Sequence, residues 1–260
     1  MKEIHISSRR NGVIADIKKL KNKKQREATG LFMVEGYRNL VDSLKSGRVK
    51  KIVYSDSFCE NKDFLEKLDC EIYRVTEVVF SDISDTKTPQ GILGVFEIPK
   101  FDHSRVSDKM ICLNAVSDPG NVGTIFRTAL AAGFYSVVLD DACADAYSNK
   151  VVRSAMSAIF ELNILRTNSL PDLIKTYQSQ GFVFYTGAFT ENPKSLFDVD
   201  FNMKTAFVFG SEANGVSKEI LDCSDVVYQI PMTDKIESLN VAVAASISLY
   251  ECVRQQNIPK

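Results

Sequence analysis

Short apolar runs punctuated by glycine, proline and polar turns recur along the whole chain, and they alternate between two spacings. Runs at 49–54, 71–75, 91–98, 111–116, 136–139, 163–165, 182–185, 206–209 and 226–230 predict strands, and an apolar stretch at 31–36 closes on Gly36. Between them, helical spacing predicts helices at 9–28, 37–46, 62–68, 76–80, 121–132, 148–160, 171–180 and 236–254. Ile14, Ile17 and Leu20 form a narrow apolar stripe on the first helix. Thr76 can cap the fourth, and Gly133 stands where the fifth needs a left-handed terminator. Strands and helices in alternation give an α/β fold with a parallel sheet. Residues 99–109 are polar and without apolar periodicity, which makes them the expected linker between a small domain at 1–100 and a larger one at 110–260. No internal repeat or low-complexity tract interrupts the pattern.

Composition adds the class. The 260 residues are 45% hydrophobic, enough for a full core, yet no apolar run approaches the roughly 20 residues that span a bilayer. The start, MKEIHISSRRNG, lacks the apolar core of a signal peptide. A soluble, cytoplasmic protein with no membrane association is expected. Cys59, Cys70, Cys112, Cys143, Cys223 and Cys252 show no paired spacing, and only His5 and His103 accompany them. Reduced, buried thiols and no metal site are the expectation.

Charge changes the picture more. The chain carries a net charge of −1, but residues 1–51 hold fourteen Lys and Arg against five acids. The run from Lys18 to Arg26 is the densest part. A basic arm on an acidic body suits a polyanion such as nucleic acid; a solvated helix face is the plainer reading of the same run.

The polar loops that follow strands hold the candidate chemistry. Asp118-Pro119-Gly120-Asn121-Val122-Gly123 joins a strand to a helix, and its glycines and free N–H groups let backbone approach an anion. Arg127 shares a face with residues 123 and 124 and can point to the same place, or it can be a surface arginine paired to an acid. Gly210-Ser211-Glu212-Ala213-Asn214-Gly215 has P-loop glycine spacing, but Val216-Ser217 stand where Lys-Ser/Thr is required. No G-x-G-x-x-G follows a strand. Ser238 has no histidine partner beyond the linker and no G-x-S-x-G elbow, which argues against a serine hydrolase. Either Ser238 or Asn240 can cap the last helix. Glu212 and Glu237 as a glycosidase pair find no support, since Trp is absent.

Taken together, these loops resemble the SpoU (TrmH) family of RNA 2′-O-ribose methyltransferases, within the SPOUT superfamily. Three blocks match in order: 118–129 (DPGNVGTIFRTA), 209–215 (FGSEANG), and 230–232 (IPM) with 237–244 (ESLNVAVA). A fourth, 150–156 (KVVRSAM), also looks familial. The likeness covers roughly 110–254, while 28–98 resembles the ribosomal-protein-like RNA-binding domain that often precedes it. Among members, those acting on large-subunit (23S) ribosomal RNA look most similar.

The resemblance implies a trefoil-knotted C-terminal domain, a homodimer and S-adenosylmethionine as methyl donor. Topology rules alone would not have predicted a knot. By family correspondence the donor meets main-chain groups of Thr186, Gly187, Gly210, Ile230 and Leu239. The reacting centre would comprise Arg127, Asn121, Glu212, Ser238 and Asn240. Arg127 is often cast as the base in the family, but a guanidinium stays protonated in nearly all protein settings. Phosphate binding and charge stabilisation are the roles expected of it here, with Asn121 and Glu212 orienting it. Two departures stand out: Ser157 where relatives have Gly, and Ala213-Asn214 in place of Gly-Lys, which removes a positive charge near the site. The alternatives within the same fold are a tRNA 2′-O-methyltransferase and a non-catalytic RNA-binding or ribosome-assembly protein.

Overall fold

The computed structural model describes residues 3–190, 194–211 and 213–256. It divides into two compact units: Met1–Ile98 with Asp145–Phe160, and Pro99–Ala144 with Glu161–Lys260. One break therefore falls between Ile98 and Pro99. The return of 145–160 to the first unit is not foreseen by a simple division into 1–100 and 110–260.

The chain begins with β1 (Ile4–Ile6), α1 (Gly12–Lys19), α2 (Lys23–Thr29), β2 (Leu31–Glu35), α3 (Tyr37–Ser43), β3 (Val49–Ser55), β4 (Glu71–Val75), α4 (Glu77–Ile83) and β5 (Ile92–Glu97). Their sheet runs β1-β4-β3-β5-β2, parallel from β1 to β3 and antiparallel on both sides of β5. One face packs Met33, Val53, Tyr73, Leu93 and Val95 against Ile14, Ile17 and Leu20, the predicted stripe, and against Val79, Phe80 and Ile83 of α4. Alternate residues on neighbouring strands, Phe32 and Phe96, cluster instead with Phe160. Gly94 allows α3 to come close: a Cβ there would lie 2.6 Å from Leu40 Cδ1.

Several local expectations are corrected. The helix predicted over 9–28 is two helices, because Asn22 Oδ1 accepts the Lys24 N–H at 2.9 Å and starts a new one. Of the helix predicted at 62–68, only a 3₁₀ turn at Leu65–Lys67 forms; Asn61 Oδ1 takes the Asp63 N–H and competes with helical bonding. Residues 99–109 are no loose linker. Asp102 and Asn163 exchange bonds of 2.9 and 2.8 Å, and the Ser107 N–H donates to Ser136 Oγ at 2.9 Å.

The basic run is also not an open arm. Lys18 pairs with Asp82 (2.7 Å), Lys19 with Asp16 (2.8 Å), Lys21 with Asp85 (3.1 Å) and Lys23 with Glu27 (3.7 Å). Arg26 is buried, donating through Nε to Asp145 at 3.1 Å and through Nη1 to the Leu20 carbonyl at 2.6 Å. The acids from 82, 85 and 145 are distant in sequence, which is why charge counting over 1–51 missed them.

The second unit continues with β6 (Lys109–Asn114), α5 (Pro119–Ala131) and β7 (Ser136–Asp140). The chain then supplies the first unit with α6 (Asn149–Ala155), which lies against β2. Met156, with φ 55°, ends α6 before α7 (Ala158–Glu161), so the helix predicted at 148–160 is broken. After that come β8 (Asn163–Thr167), α8 (Leu170–Gln178), β9 (Val183–Gly187), β10 (Lys194–Ser195), β11 (Thr205–Gly210), α9 (Lys218–Asp222), β12 (Val226–Gln229) and α10 (Val241–Gln256). All seven strands pair in parallel in the order β10-β12-β9-β11-β6-β7-β8.

Because the sheet is covered on both faces, β6 and β11 read as nearly unbroken apolar runs. Met110, Cys112, Ala206 and Val208 pack with Leu170, Ile174 and Ile220 of α8 and α9. Phe207 groups with Phe134, Tyr185, Phe201 and Tyr228. Of the six thiols expected to be buried, Cys112, Cys143 and Cys252 are; Cys59 is exposed, and Cys70 and Cys223 are half-buried. No helix among the described residues is long and apolar enough to cross a membrane.

Candidate active site

All seven strands end on one side, and the loops leaving β9, β11 and β12 enclose a cavity of about 520 Å³ there. A crevice at the carboxyl ends of parallel strands is where open α/β sheets bind ligands. Gly187, Gly210, Ile230 and Leu239 all line it, as do Ser211, Asn214 and Ser238. Thr186 does not: its side chain is fully buried, with Oγ1 2.6 Å from Ser224 Oγ.

Gly210 is required by close approach. A Cβ on it would sit 2.2 Å from the carbonyl carbon and oxygen of Gly215. The loop between them closes on itself, Ser211 and Gly215 exchanging backbone bonds of 3.0 and 2.9 Å, with Gly215 at φ +64°. The backbones of Gly210 and Gly215 therefore lie in close contact at this wall. Glu212 lies outside the described residues. Tyr228 closes the floor, its fully buried hydroxyl donating to Ser248 Oγ at 2.7 Å. Burial pushes that phenol well above its usual pKa, so it stays protonated.

Beside the cavity, α5 starts with Asp118 as its cap, the carboxylate accepting the Asn121 N–H at 2.9 Å. Asn240 Nδ2 donates to Asn121 Oδ1 at 3.0 Å, while Asn240 Oδ1 accepts the N–H groups of Ala242 and Val243 at 3.0 and 3.3 Å. Asn240 is thus the cap of α10, which begins at Val241 and not at 236, and it also ties that helix to α5. Ser238 stands exposed on the loop before it and caps nothing. Arg127 is exposed on α5, and no carboxylate among the described residues pairs with it. The fold thus brings Asn121 and Asn240 into contact, puts Ser238 on the cavity wall, and leaves the Arg127 guanidinium open to a ligand.

Sequence reasoning missed Tyr228 and Ser248, which lie inside predicted elements and look like ordinary core residues. It also missed Asn114 and Asp140. Each is a polar residue directly ending an apolar strand at the carboxyl edge, and that position was the available signal.

The sequence profile of the SpoU rRNA Methylase family matches residues 108–250, more than half of the chain. This chain belongs to the SpoU rRNA methylase family. It is a methyltransferase, and its residues 11–94 match the MRM3-like substrate binding domain. Over 246 residues it is 36% identical to the 23S rRNA (guanosine(2553)-2′-O)-methyltransferase RlmP of Bacillus subtilis, covering 94% of this chain and 97% of that protein. An AdoMet-bound rRNA methyltransferase from Sinorhizobium meliloti superposes with a TM-score of 0.84 at 28% identity, covering 97% of this chain and 98% of that one. The SpoU methyltransferase AviRb of Streptomyces viridochromogenes, solved with AdoMet, gives a TM-score of 0.85 at 27% identity, covering 96% and 100%.

Proposed function

We propose that this SpoU methyltransferase moves the methyl group of S-adenosylmethionine to a ribose 2′-hydroxyl of structured RNA, with large-subunit (23S) ribosomal RNA as the substrate. The observation that carries the reading is a cavity at the carboxyl edge of the parallel sheet, lined by Gly187, Gly210, Ser238 and Leu239, with the bonded pair Asn121–Asn240 at the start of the helix next to it. A volume of about 520 Å³ falls within the range of roughly 300–1,000 Å³ typical of small-molecule sites. Gly187, Gly210, Ile230 and Leu239 line the cavity and offer main-chain contacts there. S-adenosylmethionine brings an electrophilic methyl carbon bound to a sulfonium.

The chain's own residues supply position and charge. The ribose oxygen would take the methyl carbon as the C–S bond breaks, leaving S-adenosylhomocysteine, with the hydroxyl proton passing to water. The Arg127 guanidinium binds the target phosphate as a fork and offsets the negative charge that grows on that oxygen. Asn121, fixed by the 3.0 Å bond from Asn240, borders the same ground and orients the fork together with Glu212. Ser238 and Asn240 hold the ribose and the loop before α10. Much of the rate comes from this alignment.

RNA affinity comes mainly from the first unit through phosphate contacts, so binding falls with salt. That RlmP is named for 23S rRNA supports the substrate, and a cytoplasmic setting follows from it. We also take the loops around the cavity to form a trefoil knot and the chain to act as a homodimer. Val243 and Tyr250, exposed and seven residues apart on α10, suit a face covered by a second copy.

The test is labelled methyl transfer from S-adenosylmethionine to total RNA of a strain lacking the protein, with mapping of 2′-O-methyl sites. One labelled site in 23S rRNA, with kcat lowered about 10²–10³-fold in Arg127→Ala, is the expected result. Label confined to tRNA would reassign the substrate. Donor binding without transfer to any RNA would point to a missing partner or an assembly-stage substrate; neither transfer nor donor binding would leave a non-catalytic RNA-binding role.

A further inference from the structure

Asp140 and Asn114 end β7 and β6 at the carboxyl edge, line no part of the cavity, and yet join the loops around it. Asp140 Oδ2 accepts from Asn114 Nδ2 at 2.7 Å and from the Ala115 N–H at 2.9 Å. Its Oδ1 accepts the N–H groups of Ala142 and Cys143, each at 3.0 Å. One carboxylate thus takes four donors. An ionised carboxylate only accepts, so Asn114 must turn its NH₂ toward Asp140 and its oxygen away. That oxygen accepts the Ser217 N–H at 2.9 Å, across 103 residues of chain.

Both ends of this connection lead into the site. Ser217 directly follows Val216, and Ser211, Ala213, Asn214, Gly215 and Val216 form one side of the cavity lining. On the other side Ala115 is held at φ 56°, a left-handed conformation that a residue with a Cβ keeps only when its surroundings fix it. Three residues later Asp118 caps α5 and presents Asn121. The Ala144 N–H adds a 3.0 Å bond to the Val116 carbonyl between the same two strand ends.

We propose that the Asp140–Asn114 pair is a positioning relay that sets the spacing between the cofactor wall at 213–216 and the segment 115–121, and thereby the alignment of methyl donor with ribose hydroxyl. The proposal rests on the methyl-transfer reading above. Neither residue touches a reacting atom; both act through Ser217 and Ala115. A carboxylate in place of the Asn114 amide would face Asp140 with like charge and repel it. Asparagine in place of Asp140 would turn an NH₂ toward backbone N–H groups that need an acceptor.

The experiment uses the full chain with S-adenosylmethionine and its RNA substrate. Asn114→Ala is expected to keep donor Kd within about threefold and to lose about 10–100-fold in kcat, the size of effect that an ångström-scale misalignment produces. Asn114→Asp is expected to lose more. Combining it with Asp140→Asn restores an amide–carboxylate pair and recovers at least about tenfold over Asn114→Asp alone. In parallel, amide hydrogen exchange of Asn114→Ala should quicken in both 115–121 and 213–217 while 49–55 and 92–97 stay unchanged.

A folded Asn114→Ala with kcat within about twofold of the parent overturns the relay, as does exchange that quickens in only one of the two loops. Should Asn114→Ala fail to fold, Asp140→Asn and the exchanged pair carry the same readouts. If the parent itself transfers no methyl, the functional reading fails, and hydrogen exchange still decides the relay.

Discussion

Two collections of polar side chains in this protein behave in opposite ways. Along α1 and α2, five cations between Lys18 and Arg26 each meet a carboxylate, so most of that positive charge is matched inside its own unit. In the parallel-sheet unit, by contrast, Ser238 stands exposed on the cavity lining, and Arg127 is exposed on α5 with no carboxylate partner among the described residues. Availability, not abundance, separates a solvated or structural charge cluster from a place where a ligand can bind. Exposed ion pairs such as Lys18–Asp82 contribute little to stability and exchange readily with other anions, whereas an open guanidinium needs no exchange.

Gly210→Ala gives the sharpest test of the open edge. Its Cβ would collide with Gly215 backbone at 2.2 Å, and backbone cannot rotate away as a side chain can. We expect the donor Kd, measured by calorimetry, to rise more than about 100-fold, with a stability loss of about 2–3 kcal/mol. Donor binding within about tenfold of the parent would mean that the 211–215 loop relaxes freely, and that backbone approach does not define this wall.

Asp145→Ala tests the closed cluster. The Arg26 side chain is only 5% exposed and its partner 18%, so removal of the acid strands a covered guanidinium. Denaturant unfolding should show a loss of about 2–4 kcal/mol, while methyl transfer at permissive temperature changes little. A loss below about 1 kcal/mol would mean that water reaches Arg26 once the partner is gone.

A third, smaller effect concerns RNA. Lys24 is exposed, and no carboxylate among the described residues pairs with it. Lys24→Ala should reduce the slope of log K against log salt by about one if it contacts a phosphate. Lys18→Ala should change the slope less, because Asp82 already neutralises that lysine. Equal changes would mean that phosphates displace the carboxylates, and the contrast between the two regions would narrow.

How much of this was legible from sequence follows from which interactions are local. Apolar runs fixed the strands, and Gly210, Asp118 and Asn240 declared their loops because turns and caps act within a few residues. The three motif blocks were legible as a family pattern, and they include Gly210, Ile230, Leu239 and Ser238, all of which line the cavity. Pairings across long stretches were not legible. Asp82, Asp85 and Asp145 lie too far along the chain for their effect on the basic run to be seen. Asn114 reaching Ser217 requires β11 to lie beside β6, an order that periodicity cannot supply. The break at Met156 was missed because apolar spacing continues across it, and the one at Asn22 because the wholly polar run 21–27 carries no apolar spacing to mark a boundary, while a side-chain bond and a positive φ end the helices.

The smallest effect returns to paired charge, now within the second unit. Glu251 on α10 accepts from Arg254 at 2.7 and 2.8 Å and from Gln255 at 2.9 Å, and these partners, Arg254 first, hold its pKa below the usual carboxylate value. A carboxyl whose folded pKa is depressed adds stability above its unfolded pKa of about 4.3 and loses it as pH falls through the folded value. Glu251→Gln should therefore destabilise by under about 1 kcal/mol at pH 7, because Arg254 is itself largely in solvent and screens the pair. The difference from the parent should shrink steadily below pH of about 4. A gap between the two unfolding curves that stays constant from pH 7 to pH 3 would assign the contribution to the change from carboxyl to amide in hydrogen bonding, and not to the charge of Glu251.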